Sequence, residues 1–301
     1  MIWKSGYWFS EKTMANKKDP ERDADSTQWH RAIVTDQEDE MTATAFPAQF
    51  KRETHTINGV KTIVLSAGSG PPLVFFHGAG IWHGINFALP WTQKFRVIIP
   101  IHPGLGDADD DPAMTEIHDY VMHYLDLFDA LGLDKVNLVG FSLGGWIAAS
   151  FAAEHGHRVE RLVLIGPAGL RGKERPKGDL FLLPPEKLPS MLVSNFDVIK
   201  PFLPENPNDL DFMGARYREG GTLARLLWEH PYDSKLPRYM HRLTMPTLLV
   251  WGDEDKLIPA AFAEIWRSFI PKADIQIFKG AGHLVLDEKR EAVDAVQRFL
   301  S

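Results

Sequence analysis

The sequence predicts an α/β protein, a mostly parallel β-sheet covered by helices on both faces. Three observations carry that expectation. Short apolar runs that suit buried strands recur at 73–77 (L-V-F-F-H), 95–100, 136–140, 161–165, 247–251 and 274–278. Helical spacing fills intervals between them, notably 115–131 and about 143–155. The chain has 301 residues, 44 % of them hydrophobic, enough for one large core and a modest insertion but cramped for two full domains.

Taken in order, residues 1–49 read as a polar N-terminal extension, flexible or docked. No period holds from 11 to 40, and Asp36–Glu40 is almost wholly acidic. Its aromatics, Trp3, Trp8, Phe9 and Trp29, could pack on the body or on a partner subunit, so monomer and homodimer both stay open. Strand-like runs at 51–57 and 60–66 flank Asn58-Gly59, a pair that tolerates positive φ and predicts a type I′ hairpin. Within 115–131, Ile117, Val121, Tyr124, Leu125, Phe128 and Leu131 share one helical face, with Thr115 as expected N-cap and Gly132 as terminator.

The strand–helix rhythm lapses between about Gly166 and Arg242, a stretch rich in Pro, Arg and large apolar residues, with helical patterns at 209–219 and 221–229. It resumes at 247–251 and 274–278 and closes with a helix at about 287–300. The expected organisation is therefore a sheet domain built from 50–167 and 243–301, with a helical insertion at 168–242. Such an insertion would lie over the carboxyl ends of the strands, where ligand sites of these sheets are found.

Composition narrows the partners. A net charge of -7 without a basic stripe disfavours nucleic acid. No run of about 18 apolar residues points to a membrane span, and no signal peptide stands out, so cytoplasmic residence is expected. With no cysteine there is no disulfide, cysteine nucleophile or thiolate metal site. His102 and His118 with the acids at 107–111 impose no ligand geometry, so neither metal nor other cofactor is expected.

The chemistry gathers at G-F-S-L-G (140–144). An apolar strand precedes it and a helix of small residues follows, so Ser142 falls on a tight strand-to-helix turn that exposes its hydroxyl. The N–H of Leu143, at the helix start, can face an oxyanion, and Ala79 in H-G-A-G (77–80) can offer a second donor. His77, at a strand end, reads as structural. His283 in G-A-G-H follows the last strand and is the best base for Ser142. For the orienting carboxylate W-G-D-E-D offers Asp255, with Asp253 in reserve and Glu254 less suited. Trp82, His83, Phe141 and Trp228 are candidates to line a substrate pocket, with core packing the alternative for each.

Together these segments resemble the α/β-hydrolase superfamily, in its capped esterase, lactonase and carbon–carbon hydrolase branch, over about 50–301. The resemblance rests on H-G-A-G at 77–80, P-G-L-G-D at 103–107, G-F-S-L-G-G at 140–145, G-D-E-D-K-L-I-P at 252–259 and G-A-G-H at 280–283. It implies the α/β-hydrolase fold: a mostly parallel eight-stranded sheet flanked by helices, with a helical cap. It also implies oxyanion donors at Ala79 and Leu143, a base at His283, and Asp255 rather than Asp253 as the acid. Ser142 departs from dehalogenases and related epoxide hydrolases, which carry an aspartate there. Phe141 departs from many carbon–carbon hydrolases, which carry an asparagine. Residues 1–49 lie outside the pattern.

The expected function is a carboxylesterase-like serine hydrolase that cleaves an ester or lactone of a small to medium, largely apolar molecule through an acyl-enzyme. The alternatives are a carbon–carbon bond hydrolase of a ring-cleavage dienoate, anchored by Arg216, Arg218 or Arg225, a non-enzymatic receptor or scaffold on the same fold, and side chemistry such as perhydrolysis.

Overall fold

A hairpin opens the sheet. In the computed structural model, which describes residues 46–172, 181, 183, 187–270 and 272–301, β1 (Lys51–Ile57) turns into β2 (Val60–Ala67) through Asn58 and Gly59, with φ of 50° and 87°. Positive φ at both central residues matches the right-handed twist of the flanking strands. The expected leader up to residue 45, with its four named aromatics, and part of the expected insertion lie outside the described residues.

The remaining strands are β3 (Pro72–Phe76), β4 (Arg96–Pro100), β5 (Val136–Phe141), β6 (Val159–Ile165), β7 (Thr247–Gly252) and β8 (Asp274–Phe278). They form one eight-stranded sheet in the order β1-β2-β4-β3-β5-β6-β7-β8. β2 runs antiparallel to both neighbours, and every other pairing is parallel. β1–β2 is the antiparallel flank; β3 to β7 are largely buried, and β8 at the other edge is largely exposed.

Alternation along the strands sends side chains into two cores. Val74, Phe76, Leu138, Leu162, Leu164 and Leu249 face one side. They pack there with α1 (Ile117–Ala130), α2 (Leu143–Glu154) and a helix at Phe262–Phe269 that sequence patterning had not separated from its surroundings. Leu73, Phe75, Val97, Val139, Val163 and Val250 face the other side, against a 3-10 turn at Asn86–Gln93 and the last helix. Fully buried Trp91 ties that turn to the last helix by donating its indole N–H to the Val293 carbonyl at 3.0 Å.

Several expectations are corrected. α1 is capped by Glu116, not Thr115, because Asp119 Oδ2 accepts the backbone N–H groups of both Thr115 and Glu116 at 2.8 Å. Its buried face includes Tyr120, His123 and Leu127, while Leu125 and Leu131 are only half-buried. Gly132 ends it with φ 65°, as expected. The closing helix is two pieces, α7 (Val285–Glu288) and α8 (Arg290–Leu300), broken at extended Lys289.

Between β6 and β7 lie α3 (Leu188–Leu192), α4 (Leu210–Leu227) and α5 (Leu236–Tyr239). The two helices expected at 209–219 and 221–229 are one, running through Gly220-Gly221. Its inner side is anchored on the 101–114 loop. Thr222 donates to the Gly104 carbonyl at 3.1 Å, Glu219 accepts the Gly106 N–H at 3.0 Å, and Arg225 donates to Met114 O and Asp110. These contacts outweigh the glycine penalty. Among the described residues no helix is long and apolar enough to cross a membrane.

A Cβ built on Gly220 or Gly221 meets nothing within 4 Å. Each Gly→Ala substitution is therefore expected to stabilise the protein by about 0.5–1 kcal/mol. Urea unfolding of the single and double variants would read this, and no gain in either would show that α4 is not helical there in solution.

Candidate active site

Ser142 sits between β5 and α2 with φ 53° and ψ -115°, a left-handed conformation that non-glycine residues rarely adopt. Hydrogen bonds hold it on both sides. Its N–H donates to Ile165 O at 2.9 Å, and its carbonyl accepts from Gly145, Trp146 and Ala168 at 3.0, 3.2 and 3.0 Å. The glycines around it make the turn possible. A Cβ on Gly140 would lie 2.7 Å from Ala148 Cβ, one on Gly145 2.7 Å from Pro167 Cβ, and one on Gly144 would overlap the Phe76 and His77 carbonyls. Strain at Ser142 is thus offset by close packing of β5, α2 and β3.

The segment leaving β3 passes directly beside this turn. A Cβ on Gly78 would stand 3.0 Å from the Phe141 ring and 3.4 Å from Ser142 Cβ. Two buried imidazoles, tilted at 32° with centroids 3.8 Å apart, fix the loop. The His102 N–H donates to His77 Nε2 at 2.9 Å, so the His77 proton is on Nδ1, which donates to Gly78 O at 2.8 Å. His102 Nε2–H donates to the His77 carbonyl at 2.7 Å, and its Nδ1 accepts from the Tyr124 hydroxyl. Both rings are therefore neutral. Burial holds His77 well below the ordinary histidine range and brings His102 down to about 4. Ala79 follows, half-buried, and Leu143 is buried in the first turn of α2.

The third element is a buried pair. His283 Nδ1 lies 2.7 Å from Asp255 Oδ2, and Asp255 Oδ1 accepts the N–H groups of Leu257 and Ile258 at 2.9 and 2.8 Å. A carboxylate with both oxygens committed to donors requires the imidazole proton on Nδ1, which leaves Nε2 free to accept. The Phe141 ring rests on His283, centroids 4.8 Å apart. The neighbouring acids are otherwise engaged: Asp253 accepts the Gly280 N–H at 2.7 Å, and Glu254 accepts the Ser194 hydroxyl at 2.8 Å.

Two residues at this site escaped the sequence reading. Gly166, φ 45°, is the place where a Cβ would crowd His283 Nδ1 at 3.3 Å and Asp255 Oδ2 at 3.4 Å. Its signal was a glycine directly after an apolar strand. Glu288 accepts three backbone N–H groups, from Ser194 and Asn195 at 2.8 and 2.7 Å and from Gly282 at 2.5 Å. With the Leu284 N–H donating to Leu192 O at 2.9 Å, it fastens the segment after α3 to the loop carrying His283.

The four expected lining residues divide. His83 and Phe141 border a narrow cavity beside Gly78, whereas Trp82 is half-buried edge-on to Phe212, centroids 6.2 Å apart. Trp228 is 66 % exposed against Phe181, away from that cavity. Of the anchoring arginines, Arg225 pairs with Asp110. Arg216 donates Nη2 to Glu219 at 2.8 Å, and burial raises the Glu219 carboxyl above, and lowers Arg216 below, its usual range. Its Nε and Nη1 have no partner among the described residues. His118 pairs with Glu154 at 3.2 Å, and no group of three metal-ligating side chains occurs among the described residues.

This fold and site define a hydrolase. The model of the alpha/beta hydrolase family matches residues 73–296, and the chain belongs to that family. It is 30 % identical over 245 residues to the 2-hydroxy-6-oxononadienedioate/2-hydroxy-6-oxononatrienedioate hydrolase of Paraburkholderia phymatum, covering 75 % of this chain and 81 % of the relative. The meta-cleavage product hydrolase from Pseudomonas fluorescens IP01 superposes with a TM-score of 0.72 at 21 % identity, covering 84 % and 98 %. Naproxen esterase from Bacillus subtilis does so with 0.68 at 20 %, covering 86 % and 94 %. At these identities the two structures testify to the fold alone. The protein is an enzyme, which removes the receptor or scaffold reading.

Two outcomes are expected. His123, whose Nε2 meets Thr62 Oγ1 at 2.8 Å, is also held down to about 4 by burial. The unfolded chain protonates these rings near 6.5, while the folded chain does so only near 4 for His102 and His123, and well below the ordinary range for His77. Stability is therefore complete above about pH 6.5 and is lost as pH falls toward 4, by up to about 1.4 kcal/mol per pH unit for each histidine. Urea titrations from pH 8 to 4.5 test this, and a flat profile down to pH 5 contradicts the neutral assignment. Glu288→Ala should cost about 2 kcal/mol, because it strands three N–H groups. An unchanged urea midpoint would show that water replaces the carboxylate.

Proposed function

We propose that the enzyme is a serine hydrolase that cleaves a carboxylic ester or lactone of a small to medium, largely apolar molecule. Ser142 is the nucleophile, His283 the base and then the acid, and Asp255 the group that orients it. The observation that carries the reading is the buried His283–Asp255 pair at 2.7 Å, with Nε2 left as an acceptor, sharing the Phe141 ring with the strained turn of Ser142.

In the first step His283 Nε2 takes the Ser142 proton as Oγ attacks the carbonyl carbon. The tetrahedral oxyanion accepts the N–H groups of Ala79 and Leu143, each contributing on the order of 3 kcal/mol. Collapse breaks the bond to the leaving oxygen, which receives the proton from His283. Water, deprotonated by the same ring, then releases the acid. The neutral His77–His102 pair supports the Ala79 donor by fixing its loop. Residues 168–242 serve as a cap over the site, and the reaction takes no cofactor and runs in the cytoplasm.

A second reading is favoured by one observation. The Nε and Nη1 of half-buried Arg216, without a partner among the described residues, are suited to a substrate carboxylate, and the Paraburkholderia relative is named for a dienedioate substrate. Phe141, which offers no hydrogen bond to such a substrate, stands against it.

A panel of acyl esters, lactones and a ring-cleavage dienoate separates the two. Ser142→Ala should abolish ester turnover, and Asp255→Asn should lower kcat about 10⁴-fold. Undiminished hydrolysis by Ser142→Ala would sink the assignment. A preference for the dienoate that disappears in Arg216→Met would install the second reading.

A further inference from the structure

Beside Gly78 lies a narrow cavity with room for about one water-sized group, open on one side. Its walls are apolar: Phe75, Ile85, Phe87, Phe141 and Leu286. Three polar side chains interrupt them: His77, whose ring nitrogens are both hydrogen-bonded, His83 and Asp287. His83 is 7 % exposed, and the Asp287 side chain is 12 % exposed. His83 Nδ1 stands 3.6 Å from Asp287 Oδ2, too long for a hydrogen bond, and it has no other partner among the described residues. A buried ring nitrogen left unpaired is costly, and it stands beside a carboxylate, so that one small group placed alongside can hydrogen-bond both.

The chemistry of the pair selects that group. The neighbouring Asp287 carboxylate favours the tautomer with the proton on Nδ1, so a hydroxyl accepts from the ring N–H and donates to the carboxylate at once. A substrate carboxylate would meet Asp287 with like charge, and an ammonium would leave Nδ1–H without an acceptor. The place is equally informative, because the cavity shares Gly78 with the loop of the proposed oxyanion donor and Phe141 with the residue before Ser142.

We propose that this cavity is a subsite for a hydroxyl group on the acyl chain of the substrate, held by His83 Nδ1 and the Asp287 carboxylate. The assignment rests on the acyl-enzyme reading above and narrows its substrate class to hydroxyacyl compounds, lactones among them. When Ser142 opens a lactone, the ring C–O bond breaks, and the ring oxygen takes the proton from His283 and stays on the acyl chain as a hydroxyl. Held at His83 and Asp287, that hydroxyl is kept from closing back on the acyl carbonyl, so water completes the cycle.

The test compares aryl esters of acyl chains bearing a hydroxyl at successive positions with their unsubstituted counterparts. At one position wild type should favour the hydroxyacyl ester by about 10- to 100-fold in kcat/KM, and the ratio should fall toward one in both His83→Leu and Asp287→Leu. The absence of a preference at every position in wild type overturns the proposal without any variant, as does a ratio that survives both substitutions. Binding of the free hydroxy acids and their deoxy analogues to Ser142→Ala, followed by NMR, reads the subsite independently of turnover. If Ser142→Ala still hydrolyses esters, the catalytic reading fails while the binding comparison still judges the cavity. Equal binding of both acids overturns the subsite.

Discussion

The left-handed backbone at Ser142 is the constraint on which the rest of the site depends. A residue there is unfavourable by itself, and it persists because four hydrogen bonds and three glycine contacts leave the chain no other path. The same tightness draws β3, β5 and β6 together: Gly144 packs under the end of β3, and Gly145 packs against the chain leaving β6. Gly78 lies against Phe141 and Ser142, His283 rests on the same Phe141 ring, and Asp255 follows through its hydrogen bond to His283. Preorganisation here means that little has to move as charge develops.

Much of this was legible in the sequence, for identifiable reasons. Buried parallel strands are apolar throughout, so six of the eight could be read as short runs, and Asn58-Gly59 marked the remaining hairpin. G-F-S-L-G-G between an apolar strand and a small-residue helix could be read because each glycine answers a local steric demand. Asp255 was the first choice among three consecutive acids that look alike without knowledge of where the loop folds, and the resemblance was what set it above Asp253.

The rest was hidden because it depends on contacts between distant segments. Glu288 reads as an ordinary charged residue near a helix, and only the approach of 194–195 gives its carboxylate three donors. Gly220-Gly221 reads as a break, and only anchors on the 101–114 loop carry the helix through it. Trp228 was a reasonable pocket residue by type, yet it lies two-thirds exposed, because it caps α4 on the side away from buried Glu219, Thr222 and Leu226.

That borrowed continuity of α4 has a consequence for how the helix can move. A helix with strong intrinsic propensity could swing away as a rigid rod about its ends. This one carries three glycines and owes its middle to Glu219, Thr222 and Arg225 gripping the body. Lifting it would remove the contacts that keep it wound, so detachment and unwinding are one event, governed by helix–coil energetics rather than by a hinge.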